Sequence, residues 1–364
     1  MNVLATMAVL VGCFLTGDTI AREMEWIRVA DDKRSFVFET SGRRFVPWGF
    51  NYDHDRDGVL IEDYWNLRWK TIEEDFTEMK TLGANVVRVH LQFGRFMEAA
   101  DKPNRQALDQ LRRVVELSET VGVYLDLTGL GCYHKQDVPK WYDELSEEQR
   151  WNAQARFWKA VAETCSASPA IFCYDLMNEP VVPGGKNKRD DWLAGAFAGN
   201  HFVQFIALET KGRPRHEIAR RWIGQLADAI RKQDPRHLVT VGLVPWSLDR
   251  PGLTSGFIPE MIADDLDFIA MHIYPESRKI DDAIATLEGF SIGKPVVIEE
   301  MFPLRCTATE LGRFIDGSRE HATGWIGFYW GKTPDEYRQS DMIGDAIVLK
   351  WLELFQEKVP MTGH

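Results

Sequence analysis

One pattern limits what this chain folds into more than any other. From residue 45 to residue 355, short apolar runs alternate with amphipathic stretches, eight times over. The runs at 45–51, 85–91, 123–128, 171–179, 238–244, 268–274, 295–300 and 324–330 are rich in Val, Ile, Phe and Tyr and sit among turn residues. They read as strands. Between them, Ile72, Phe76, Met79 and Leu82 recur every three or four residues within 71–82, which is helical spacing. The segments 106–120, 148–164, 216–233, 280–287, 308–315 and 341–355 follow the same rule, and 258–263 is the one poor helix. This alternation predicts an α/β fold, a (β/α)8 TIM barrel. A doubly wound open sheet is the alternative. It is weakened because no glycine-rich phosphate loop follows any strand.

Two accessories flank that repeat. Residues 27–46 carry turn sequences at 29–33 and 41–44 and predict a short N-terminal β-hairpin that covers the barrel's bottom. A long insertion after strand four, 181–215, contains Trp192, Phe197, Phe202 and Phe205. It lies at the C-terminal face, where barrel active sites sit. It is either a lid or cleft wall, or a satellite core on the rim. The rest reads as one catalytic domain over 22–364.

Residues 3–15 are nearly all apolar and are followed by Asp18. That is too short to span a bilayer and resembles a signal-peptide core. Thr19 and Ala21 supply small residues for cleavage after Ala21, so 1–21 is expected to be a signal peptide. The run Leu10-Val11-Gly12-Cys13 also resembles a lipoprotein box, with Cys13 as the lipidated residue. Either route predicts an exported protein: secreted, periplasmic or lipid-anchored. No Lys or Arg precedes the apolar run, unlike most signal peptides.

With 43 Lys+Arg against 55 Asp+Glu, the net charge is −12. That argues against nucleic acid and anionic membranes as partners. The 13 Trp residues exceed core need and suit a carbohydrate cleft, where indole stacks on flat sugar faces. Five cysteines show no zinc-type spacing; a Cys165–Cys173 bridge is open.

Catalytic groups in a barrel project from the C-terminal ends of its strands. Strand four closes Asp175-Leu176-Met177-Asn178-Glu179-Pro180, and strand seven closes on Glu299-Glu300. Two carboxyl groups at one barrel mouth suit glycoside hydrolysis: one protonates the leaving oxygen and the other attacks the sugar. Arg88 and His90 end strand two, His272 and Tyr274 end strand six, and Phe328-Tyr329-Trp330 end strand eight.

Asn178-Glu179-Pro180 resembles the Asn-Glu-Pro signature of the cellulase-like glycoside hydrolases of clan A, family five above all. The run 294–301 resembles that family's strand-seven motif, whose nucleophile lies five residues after the Pro, here Glu300. Arg88, His272-Ile273-Tyr274, Trp330 and Trp48-Gly49-Phe50-Asn51 match further family positions in the right order, over 45–357. The resemblance implies a retaining β-glycoside hydrolase on a β-linked polysaccharide or oligosaccharide, of mannan or β-1,4-glucan type. It makes Glu179 the general acid and then base, and Glu300 the nucleophile supported by Arg88 and Tyr274. Asn178 would hold the sugar 2-hydroxyl, His272 would orient the acid/base, and Trp330 would form the sugar platform. Asn51, His90, Tyr133, His134 and Trp246 are further substrate-binding candidates. Asp175 is expected to hold an Arg or a backbone group instead of doing chemistry. The sequence departs from the family at Thr128, where strand three often ends in His; His134 or His90 would stand in for it.

Period-two alternation counted from Glu300 turns Val296 and Ile298 inward, and turns Val297 and Glu299 toward the helices. Asp53–Gly58 opens like a calcium loop, but its twelfth position is Tyr64 and a strand precedes it. No metal or cofactor is expected. Two other readings are a non-catalytic carbohydrate-binding barrel, disfavoured by the presence of both Glu179 and Glu300, and an intracellular enzyme on a phosphorylated metabolite, disfavoured by the missing glycine-rich loop.

Overall fold

The computed structural model describes residues 24–53, 59–185, 188–250 and 253–360. The expected signal segment, Cys13, and residues 54–58 of the calcium-like loop lie outside them.

Short strands β1 (Ile27–Val29), β2 (Phe36–Phe38) and β3 (Arg44–Phe45) form an antiparallel sheet in that order. The expected hairpin thus carries a third strand. Then come β4 (Trp48–Tyr52), β5 (Val86–Gln92), β6 (Tyr124–Gly131), β7 (Ile171–Asn178), β8 (Leu238–Leu243), β9 (Ile269–His272), β10 (Val296–Glu300) and β11 (Gly324–Tyr329). These pair in parallel, each with its neighbour, and β11 returns to β4 to close the barrel. The connecting helices are α1 (Trp69–Thr81), α2 (Arg105–Val121), α3 (Glu147–Cys165), α4 (Arg215–Arg231), α5 (Pro259–Ile262), α6 (Ile280–Glu288), α7 (Ala308–Ser318) and α8 (Ile343–Glu357). The weak periodicity at 258–263 corresponds to α5, a single turn.

Local chemistry sets the helix ends. Asn104 caps α2 by accepting from the backbone of Gln106 and Ala107, and Gly122 stops it with φ 75°. Ser146 and Gln149 form a capping box on α3.

The strands alternate between two apolar regions. Val87, Val89, Leu125, Leu127, Val239, Val241 and Ile298 pack outward against the helices. Val86, Cys173, Leu238, Ala270, Val297 and Ile326 point inward with Phe36 and Phe45 of the small sheet. Phe36 packs edge-on against Phe172 and Phe268, with centroids 5.2 and 5.3 Å away. The sheet therefore plugs the bottom of the barrel. Each buried Phe contributes about 2–3 kcal/mol of transfer free energy. Cys165 belongs to the outer region and Cys173 to the inner one, and both are free thiols, so no bridge joins them.

The parity expected for β10 is reversed. Val297 lies inside the barrel, and Glu299, two residues on, is also inside and fully buried. The physical reason is a register irregularity. Met271 pairs with Ile298 but His272 pairs with Glu300, leaving Glu299 as an extra residue. A bulge of this kind re-aims side chains at a strand end. Glu300 consequently reaches the mouth although its neighbour also faces inward.

Candidate active site

Above the apolar plug the barrel interior turns polar. Arg88, fully buried on β5, is its hub. Nη1 donates to Asn51 Oδ1 and to Glu300 Oε1, each at 2.8 Å. Nη2 donates to Asp175 Oδ2 at 2.7 Å and Asn178 Oδ1 at 3.1 Å. Burial opposes the guanidinium charge, but Asp175, Glu299, Glu300 and Asp126 outweigh it, so Arg88 stays charged. Asp175 also accepts from Thr128 Oγ1 and from the Gly242 backbone, at 2.9 and 2.8 Å. Its oxygens are used in holding strands together, as the sequence implied.

The end of β7 is irregular as well. Thr240 faces Asp175 but Gly242 faces Asn178, so Asn178 is turned inward. Glu179 follows with φ 48°, a left-handed conformation that costs a non-glycine residue on the order of 1–3 kcal/mol. Its N–H donates to the Gly242 carbonyl at 3.0 Å. This turn carries the Glu179 side chain across to His272.

His272 Nδ1 lies 3.1 Å from Glu179 Oε1 and 3.5 Å from Glu300 Oε2. One nitrogen thus spans both carboxylates, whose oxygens come within 4.8 Å of each other. Burial lowers the pKa of His272, but the Glu300 charge, the contact with Glu179 and the nearby Glu299 outweigh it, raising it to about 10. Glu300 also accepts from the Tyr274 hydroxyl at 2.6 Å. Burial pushes the Glu300 carboxyl up, yet His272, Arg88 and the Tyr274 bond hold it below the ordinary glutamate value. Glu300 is thereby kept as an anion, with Glu179 within reach of a proton donor.

Two cavities meet at Glu179. A cavity of about 550 Å³ is lined by Glu179, Glu300, His90, Tyr133, Phe202 and Trp330, among others. Trp330 stacks on Phe328 with planes 6° apart. A second cavity, about 730 Å³, shares Glu179 and Tyr274 and is lined by Trp246, Pro275 and Arg305. Phe197, 64% exposed, borders both.

The other sequence candidates separate clearly. His90 faces the cleft, paired with Thr128 across β5 and β6 and bonded to the Tyr133 hydroxyl. It is the imidazole beside the departure at Thr128. Burial and the Arg88 charge depress its pKa well below the usual histidine value, so it is neutral. His134 instead lines a separate cavity of about 90 Å³ with Gln92 and Asp137. Asn51 is buried, and its amide donates to the carbonyls of Glu299 and Gly327 at 2.7 and 2.8 Å. It ties β4 to β10 and β11 and lies beneath the sugar-sized space. The insertion has both characters considered for it. Trp192, Leu193 and Ile206 are buried on the rim, while Phe197 and Phe202 form a cleft wall.

Sequence reasoning missed Gly242 and Asp126. A glycine inside a strand signals a close approach, and Gly242 has one: a Cβ there would lie 2.9 Å from His272 Nε2. Asp126 faces inward on β6 with no sequence signal beyond strand parity.

A parallel eight-stranded barrel with two carboxyl groups this close at its C-terminal mouth is the arrangement that glycoside hydrolysis calls for. The chain belongs to the cellulase family, glycosyl hydrolase family 5, whose family model matches residues 51–332. Over 189 residues it is 24% identical to mannan endo-1,4-beta-mannosidase A of Podospora anserina. That match takes in 46% of this chain and 42% of the relative, so the chain matches less than half of that protein's length. Among solved structures, an exo-beta-1,4-mannosidase from Opitutaceae bacterium strain TAV5 is similar, with TM-score 0.69 and 16% identity, covering 91% of this chain and 62% of that one. A beta-1,4-mannanase from the sea hare Aplysia kurodai gives TM-score 0.61 and 16% identity, covering 93% and 100%. At such identities these two likenesses speak for the fold alone.

Proposed function

We propose that the protein is a retaining β-glycosidase of endo-β-mannanase type, with Glu300 as nucleophile and Glu179 as acid and then base. The observation that carries this reading is the bridging of both carboxylates by one nitrogen of His272. One oxygen of each lies within 4.8 Å of the other, which suits the roughly 5–5.5 Å spacing of retaining enzymes better than the roughly 6.5–9.5 Å of inverting ones. Glu300 attacks the anomeric carbon as Glu179 protonates the departing oxygen. Water, deprotonated by Glu179, then releases the sugar from Glu300. Asn178, anchored by Arg88, meets the 2-hydroxyl, and Trp330 supplies the stacking platform.

Two cavities that meet at Glu179 favour a chain threaded through the cleft over a single sugar in a blind pocket. The mannan assignment draws on the mannan-degrading relatives. Purified protein on β-mannan, β-glucan, xylan and aryl glycosides tests it: short oligosaccharides from β-mannan are expected, and release from β-glucan alone would overturn the substrate.

We further propose that the protein is exported. The support is the apolar composition of residues 3–15 and the small residues at 19 and 21. Mass spectrometry of native material should find a terminus near Arg22 or a lipidated Cys13; an intact Met1 refutes both.

A further inference from the structure

Beneath the catalytic pair lies a second pair of acids that the reaction does not use. Asp126 on β6 and Glu299 on β10 are both completely buried inside the barrel. Among the described residues, none of their four carboxylate oxygens has a hydrogen-bonding partner. One oxygen of each, and the Cys173 sulfur, lie within 4.8 Å of one another. The cations nearby stand just out of bonding range: Arg88 Nε is 4.0 Å from Asp126, and Arg88 Nη2 is 3.9 Å from Glu299. His272 Nε2 is 3.8 Å from Glu299 and is itself unbonded.

The titratable groups facing this space come from five of the eight barrel strands. They are Arg88, Asp126, Cys173 and Asp175, then His272 and Glu300, with Glu299 among them. Four of these are carboxyl groups. Asp175 and Glu300 are each hydrogen-bonded to Arg88. Asp126 and Glu299 are not, and two adjacent unbonded carboxylates in a low-dielectric interior cannot both readily ionise. A metal ion would relieve that repulsion only by standing against the Arg88 guanidinium. A proton relieves it without adding a charge beside Arg88.

We propose that Asp126 and Glu299 share one proton in the working enzyme, and that this acid pair is a positioning element that sets the charge of His272. Burial, with Glu299 beside Asp126 and Asp175 beside Glu299, pushes both carboxyls above their ordinary values. The shared negative charge lies partly on Glu299, under the far nitrogen of the imidazole. His272 then holds its own proton against Glu179 and Glu300 with Nδ1. The link to turnover rests on the glycosidase reading; the proton and the imidazole are observable without substrate.

The test uses the full chain and two isosteric variants. Infrared spectroscopy at mildly alkaline pH should show the carbonyl stretch of a protonated carboxylic acid. Glu62, pushed up to about 7 by burial, is then largely ionised and does not account for it. The band should vanish in Glu299→Gln and in Asp126→Asn. Nitrogen NMR of His272 adds a directional readout. Glu299→Gln moves the charge away to Asp126, so the imidazole should lose its proton at lower pH than in the parent. Asp126→Asn confines the charge to Glu299, so the imidazole should lose it at higher pH. A merely structural role would not move the two in opposite directions. In turnover, Glu299→Gln should lower kcat about three- to tenfold with KM nearly unchanged, the mark of an interaction made in the transition state. A native enzyme without the acid band, or two variants shifting His272 the same way, overturns the proposal. Neither result would touch the roles of Glu179 and Glu300, which substrate assays decide.

Discussion

Gly242 lies so close to His272 that a Cβ on it would stand 2.9 Å from Nε2 of the imidazole and 3.3 Å from Nη2 of Arg88. The β8 backbone is therefore pressed against the two cations that organise the carboxylates. The same residue accepts from Glu179 N–H and donates to Asp175.

Gly242→Ala is consequently expected to displace His272 or Arg88 without unfolding the barrel. Misplacement by about 1 Å costs on the order of 100-fold, so the smaller shift needed here should lower kcat by about tenfold. Steady-state kinetics beside a thermal melt checks this. A variant with parental kcat would mean that the cleft absorbs the methyl group.

Glu300→Ala should remove nearly all turnover, roughly a 10⁴-fold loss or more. With an activated aryl glycoside, azide should restore activity and give product of opposite anomeric configuration. The parent should retain configuration, read by proton NMR. Rescue of Glu299→Ala in place of Glu300→Ala would exchange the two residues' roles.

Tyr274→Phe deletes the 2.6 Å bond that favours the Glu300 anion. A carboxyl whose depressed pKa loses one of its causes titrates higher. Glu300 is needed ionised, so the acidic limb of kcat/KM should move to higher pH. A loss of about tenfold at the optimum accompanies it, the worth of one charge-assisted hydrogen bond. An unmoved acidic limb in the pH–rate profile would show that Tyr274 does not tune Glu300.

Gly327 faces outward on β11, where a Cβ would meet Trp351 Cζ2 at 1.9 Å. Trp351 is fully buried on α8 and donates to the Phe328 carbonyl at 2.8 Å. Gly327→Ala should destabilise the fold by about 2–3 kcal/mol through overpacking. Urea unfolding measures it, and an unchanged midpoint would sink the expectation.

Much of this was legible in one dimension. The strand and helix positions follow from period 2 and period 3.6 in apolar residues, and barrel polarity placed Glu179, Glu300, Arg88, His272 and Tyr274 at one mouth. Those residues sit at strand ends, where chain order and spatial order run together. His90, Tyr133, Trp246 and Trp330 are also found lining the cleft. Asn51 and His134 were beyond such reasoning. Spacing alone does not tell a strand-end amide that points at a sugar from one that bonds to two neighbouring carbonyls.

By itself, then, the sequence determined the barrel, its order of strands and the family-specific pairing of acids, because periodic burial and motif spacing are local properties of a chain. Tertiary structure alone decided which face Glu299 takes, since its side is set by how β9 registers against β10 and not by parity along one strand. It also decided the plug of Phe36 and Phe45, the neutral His90, the pressure of Gly242 on His272 and the unbonded pair of Asp126 and Glu299. Each depends on distances between residues far apart in the chain, and those distances exist only once the eight strands close.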